Sequence, residues 1–127
     1  MDPSEFLRDG RVSVSDVTYA VCLTDREYPD AFATVRDADE STVVVDQRRV
    51  DDATASGVEP GWARLTFEMD LPFELVGFLG VVASALAEVD VSVFVISAYA
   101  TDHVFVKRTD LPAAVERLEE LGCVVAD

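Results

Sequence analysis

From Leu71 to Lys107 the chain reads LPFELVGFLGVVASALAEVDVSVFVISAYATDHVFVK. This is an amphipathic helix running straight into two strands, and that junction limits the folds open to the chain. Leu75, Phe78, Leu79, Val82, Leu86 and Val89 recur at helical spacing and predict a helix over 75–89 with one apolar stripe. Pro72 suits a first helical turn, where its missing N–H has no partner in any case. Asp90 ends the helix. Val91 to Tyr99 is β-branched and aromatic, as a largely buried strand would be. Val104, Phe105 and Val106 make the next strand, across a turn at Ala100-Thr101-Asp102.

Before this stretch, Trp62 to Met69 alternates. Ala63, Leu65, Phe67 and Met69 fall on one face, and Trp62, Arg64, Thr66 and Glu68 on the other, which predicts a half-buried strand. After it, Asp110 is a candidate N-cap for a second helix, with Pro112 in its first turn. Leu111, Val115, Leu118 and Leu121 form its stripe, and Gly122 suits its C-terminal cap. A short strand over 123–126 closes an order β-α-β-β-α-β. Two helices with one stripe each and four strands are satisfied when both helices cover one face of an antiparallel sheet. The expected class is therefore α+β, on the ferredoxin-like plan.

The first half is less regular. Met1 to Gly10 reads as a frayed lead-in. Arg11–Val14 and Val17–Thr24 read as two strands. Segments 31–36 and 42–45 form a hairpin around Asp37-Ala38-Asp39-Glu40, and a short helical turn is expected near Arg49 to Asp52. Pro60-Gly61 is the expected turn and boundary between an N-terminal half over 11–60 and a C-terminal half over 61–127.

Charge constrains the partners. There are 25 acidic residues against 10 basic ones, and Lys107 is the sole lysine. The acids are scattered, which marks a solvated surface rather than a binding tail. Asp-rich, Lys-poor surfaces of this kind resemble those of proteins from high-salt cytoplasm. Such a field repels the phosphate backbone, so nucleic acid is not an expected partner. No long apolar run predicts a membrane span, and the acidic N-terminus does not read as a signal peptide, so the expected location is the cytoplasm.

Catalysis has little support. Cys22 and Cys123, the two cysteines, sit among apolar neighbours without metal-ligand spacing and read as core residues. His103 is the single histidine. It follows Asp102 directly, so in a strand the two side chains point to opposite faces. There is no phosphate-binding loop, dinucleotide fingerprint or calcium loop. No cofactor, metal or catalytic residue is expected.

With these residues, the order resembles the ACT domain, a small regulatory module that binds amino acids. It is similar in particular to small proteins with two ACT-like halves, of the kind also found in CASTOR-type arginine sensors and at the ends of aspartate kinases. The pattern is LxGxL, here Leu75, Gly77 and Leu79, followed by Ser92, Phe94, Ile96, Ser97, Tyr99, Thr101 and Asp102. Ala98 stands where threonine is usual and His103 where an aromatic is usual. The resemblance implies a ferredoxin-like ACT fold with an abbreviated ACT-like N-terminal half. It also implies a ligand site at Leu75, Gly77, Phe78, Ala98, Tyr99, Thr101 and Asp102. An amino acid's carboxylate suits the amides and positive end of the helix dipole near Gly77. Asp102 matches the acidic residue that the arginine sensors place at their ligand, and would take the ammonium. One helix face (Gly77, Gly80, Val81, Ser84, Glu88) is small and smooth in a very acidic chain. That predicts a packing partner there, either the first half or a second copy; ACT modules commonly pair, so a homodimer is expected. The expected function is a non-catalytic, amino-acid-binding regulatory protein; the alternative is a dimerisation or protein-interaction module without ligand.

Overall fold

A computed structural model describes residues 2–51, 53 and 55–126. Met1, Asp52, Thr54 and Asp127 lie outside the described residues. Seven strands and two α-helices follow in the order β1 (Arg11–Thr24), β2 (Ala33–Arg36), β3 (Ser41–Asp46), β4 (Ala55–Phe67), α1 (Phe78–Ala87), β5 (Val93–Ser97), β6 (Asp102–Lys107), α2 (Leu111–Glu120) and β7 (Val124–Ala126). The chain forms two compact units. One is Met1–Asp16 with Ala63–Asp127, and the other is Val17–Trp62.

The first unit is α+β and ferredoxin-like. From β4 onward its elements follow β-α-β-β-α-β. Its sheet runs β5, β6, β4, β1, with β7 parallel to β1 through Arg11↔Val124 and Val12↔Val125. The alternation in β4 is as expected: Ala63, Leu65 and Phe67 are fully buried. They join Val12, Val14, Val104 and Val106 beneath Phe78, Val82 and Leu86 of α1 and Ala114 and Leu118 of α2. Both helices thus turn their apolar sides to one sheet face, α2 with Ala114 at its buried centre beside Leu118 where the expected stripe had Val115. On the other face Phe94 and Phe105, directly opposed in the β5–β6 register, stack at 4.4 Å between ring centroids.

Two helix ends show how sequence fixes length. Gly122 has φ +102°, and Gly122 N–H and Cys123 N–H donate to the Glu119 and Leu118 carbonyls, which closes α2 as expected of a glycine. Asp90, at φ +61°, plays the same part for α1: its N–H reaches Ala87 and that of Val91 reaches Leu86. The start of α1 differs from expectation. It begins at Phe78, because Gly77 precedes it in the left-handed region at φ +87°. Leu75 belongs instead to a tight turn, its N–H donating to Pro72 O at 2.9 Å. Pro72 therefore shapes that turn and not the helix. Val89 falls past the last helical turn and is 37% exposed, outside the stripe.

The lead-in is not frayed over its described part. Pro3–Phe6 form a 3-10 helix capped by the Asp2 carboxylate, and Leu7 is 1% exposed in the core. Asp9 N–H donates to Gly122 O, and Val124 N–H donates to Gly10 O. A Cβ on Gly10 would lie 2.6 Å from Phe6 O, so only glycine fits that crossing.

The second unit contains strands and a 3-10 turn, with no α-helix among the described residues. β2 and β3 form the expected hairpin, with Asp37 N–H to Glu40 O at 2.8 Å, and β3 continues onto β1. Ala20, Cys22, Val43 and Val45 are its buried centre. Three local expectations change. The two predicted strands over 11–24 are one strand. The helical turn falls at Gln47–Arg49, capped by Asp46, whose carboxyl the Arg48 guanidinium holds down at about 2. Pro60 and Gly61 lie inside β4, not in a turn. There Gly61 takes φ +84°, as at a strand bulge, and its N–H donates to the Gln47 side chain at 3.0 Å.

Candidate functional site

The loop before α1, the first turn of α1 and the β5–β6 turn enclose a cavity of about 330 Å³. This is at the small end of ligand pockets. All seven residues marked in the sequence line it: Leu75, Gly77, Phe78, Ala98, Tyr99, Thr101 and Asp102. Leu71, Pro72, Phe73, Leu79, Gly80, Ser97 and Ala100 complete the wall. Phe73 could have been suspected as an unmatched aromatic beside Pro72. Ser97 becomes visible only through register, because it pairs across the hairpin with Asp102.

The parts have different jobs. Gly77 is glycine for its backbone and not for space. Its φ is +87°, and the nearest atom a Cβ would meet is Pro3 Cγ at an ordinary 3.7 Å. The turn it makes exposes the start of α1, where the amides of Phe78, Leu79 and Gly80 have no partner within the helix. Phe78 is 4% exposed and packs edge-on against Phe67 at 5.6 Å, so it forms the floor from the core side and does not fill the cavity. At the other wall, Ala98 N–H donates to Thr101 O at 2.9 Å and closes the turn. The Thr101 hydroxyl donates to Phe67 O, which ties the turn to the end of β4. Thr101 is thus committed to its own backbone anchor. Tyr99 is 86% exposed and Phe73 78%, their ring centroids 5.5 Å apart at the rim.

Alternation separates Asp102 from His103. Asp102 faces the cavity, whereas His103 Nδ1 lies 2.9 Å from Thr66 Oγ1. Thr66 Oγ1 also accepts from Arg64 at 3.0 Å. Burial and then the Arg64 charge push the imidazole pKa down, against the opposing pull of Asp102. Among the described residues no His, Cys, Asp and Glu group has the makings of a metal site. Cys22 and Cys123 are both buried, and burial pushes the Cys123 thiol up to about 11.

The small face of α1 borders a shallow groove. Pro3 lies at its Gly77 end, and Arg117 lies along it, paired with Glu88 at 3.0 Å and donating to Ala85 O at 3.2 Å. Within this unit, the packing neighbour at the glycine end is therefore the N-terminal 3-10 helix.

The sequence profile of the ACT domain family matches residues 57–120, just over half of the chain. This chain belongs to the ACT domain family. Solved structures agree on the fold. A protein from Agrobacterium tumefaciens is similar at a TM-score of 0.80 and 22% identity, covering 92% of each chain. One from Vibrio cholerae, described as of unknown function and a possible transport protein, is similar at 0.72 and 24%, covering 94% of each. The ligand-free regulatory subunit of aspartate kinase from Thermus thermophilus is similar at 0.66 and 10%, covering 91% of this ACT protein and 97% of that chain. Comparison with curated proteins gave no match. No helix among the described residues is long and apolar enough to cross a membrane.

Proposed function

We propose that this ACT protein is a regulatory module that senses an amino acid and has no catalytic role. The ligand's ammonium pairs with Asp102, and its carboxylate meets the first-turn amides of α1 after Gly77. One observation supports this above the others. The cavity brings a carboxylate and a helix N-terminus together at its two walls while Phe78 and Tyr99 leave it open. A homodimer belongs to the same reading, with the smooth side of α1 as the self-contact. So does a high-salt cytoplasm, given a net charge of −15.

An interaction module without ligand is the second reading. It draws on Phe73, Val76 and Tyr99, which are large, apolar and all more than three-quarters exposed on and beside the rim.

A thermal-shift screen of the twenty amino acids in molar KCl separates the two. The sensor reading expects a rise in melting temperature with one or a few amino acids, abolished in Asp102→Ala. A flat screen on folded protein would hand the case to the interaction module.

A further inference from the structure

We propose that the cavity selects an α-amino acid whose side chain is uncharged and apolar, of branched-aliphatic to aromatic size. This rests on the sensing reading above and narrows its ligand class. The charges in the lining decide the class. Among the residues that line the cavity, Asp102 carries the one ionisable side chain apart from the Tyr99 phenol. The ligand's own ammonium occupies that carboxylate, and its carboxylate occupies the amides at the start of α1. Nothing charged is then left for the side chain.

Each charged class of amino acid meets a specific obstacle. An aspartate or glutamate would bring a second carboxylate to a wall without a cation, in a chain of net charge −15. A lysine or arginine would bring a second cation with no second carboxylate in the lining. Either would leave a partly desolvated charge without a partner, which is the costly case. What remains for the side chain is apolar: Leu71, Pro72, Leu75 and Leu79 along the wall, with the Phe73 and Tyr99 rings at the rim. At about 30 Å³ per water in the liquid, the roughly 330 Å³ cavity holds the equivalent of about eleven waters. That is room for a leucine- or phenylalanine-sized molecule, with the side chain's end at the open rim. The exposed Phe73–Tyr99 pair gains a function here. Two rings held in contact at an open rim cover an apolar side chain, and would gain little from a hydrated one.

Isothermal titration of the 127-residue chain in molar KCl tests this with valine, leucine, isoleucine, methionine and phenylalanine against aspartate, glutamate, lysine and arginine. At least one of the first set is expected to bind, with every member of the second at least tenfold weaker. Phe73→Glu, at an exposed position that leaves the core intact, is expected to weaken the apolar ligand and to narrow the gap for lysine and arginine. A charged amino acid binding as tightly as the best apolar one would overturn the selectivity and leave amino-acid sensing standing. If none of the nine binds, the selectivity falls, and the thermal-shift screen of all twenty then decides the sensing reading on its own.

Discussion

Two hairpin turns among the described residues are built alike and dressed differently. The β2–β3 turn closes with Asp37 N–H on Glu40 O at 2.8 Å, and the β5–β6 turn with Ala98 N–H on Thr101 O at 2.9 Å. The first exposes Asp37, Ala38, Asp39 and Glu40 along an open, polar groove that Asp25 and Arg36 also line. The second presents Ala98, Tyr99, Ala100 and Thr101 on an otherwise very acidic chain, and a cavity stands behind it. The backbone is satisfied in both, so side-chain choice is free to report function. In an acidic protein, a turn that forgoes acids and displays a tyrosine is the informative one.

The two turns differ most at Asp102. At a saturating amino acid, about 100 times its Kd, binding should stabilise the wild type by about 2.7 kcal/mol. Asp102→Ala should lose nearly all of that shift, while Asp39→Ala in the acidic turn should keep it. A full shift in Asp102→Ala would remove the functional distinction between the turns. Next in size is Gly77→Ala, which forces a side chain into the left-handed region at a cost of about 1–2 kcal/mol, read as a lower urea midpoint at unchanged slope. Thr101→Val should follow at about 1 kcal/mol, because it removes the anchor to Phe67 O and leaves that carbonyl without its donor. Neutralising Asp37, Asp39 and Glu40 together to their amides should raise stability by only a few tenths of a kcal/mol at low ionic strength. The gain should vanish in molar salt, where charges are screened beyond about 3 Å. A gain that survives high salt would mean the acidic turn has a specific contact after all.

The last effect is a direction. His103 titrates below its ordinary value of 6.5 in the fold. The native state therefore favours the neutral ring. Its contribution is complete above about 6.5 and is lost as pH falls through that value toward the folded pKa. Melts at pH 8 and pH 5.5 should show a pH-dependent loss that His103→Gln reduces.

How far the chain could be read followed from what each residue's environment enforces. The β4 alternation, the α2 stripe with its Gly122 cap and the β5–β6 pair were legible, because burial on one face fixes their period. The start of α1 was not. Leu75 keeps the helical spacing, but Gly77, two residues on, takes the left-handed region and α1 starts only after it. A single residue's φ leaves no trace in an apolar pattern. The lead-in misled for a related reason: a mostly polar decapeptide looks loose, yet Leu7 carries it into the core with Phe6 packed beside it. Pro60-Gly61 looked like a turn because both residues favour one, whereas a bulge in a long strand uses the same chemistry. At the site, the LxGxL and SxFxISxYxTD residues drew attention to both cavity walls. The loop before both, Leu71 to Phe73, was not marked as part of a site, because a wall made by a tight turn follows no period.

The two cysteines give the protein a pair of internal clocks. Cys22 lies in the buried centre of the Val17–Trp62 unit and Cys123 in that of the other, with its thiol held at about 11. A neutral, occluded sulfur reacts with an alkylating probe only after its surroundings open. Mass-resolved labelling of native protein would therefore time the opening of each unit separately, without adding a dye or changing a residue.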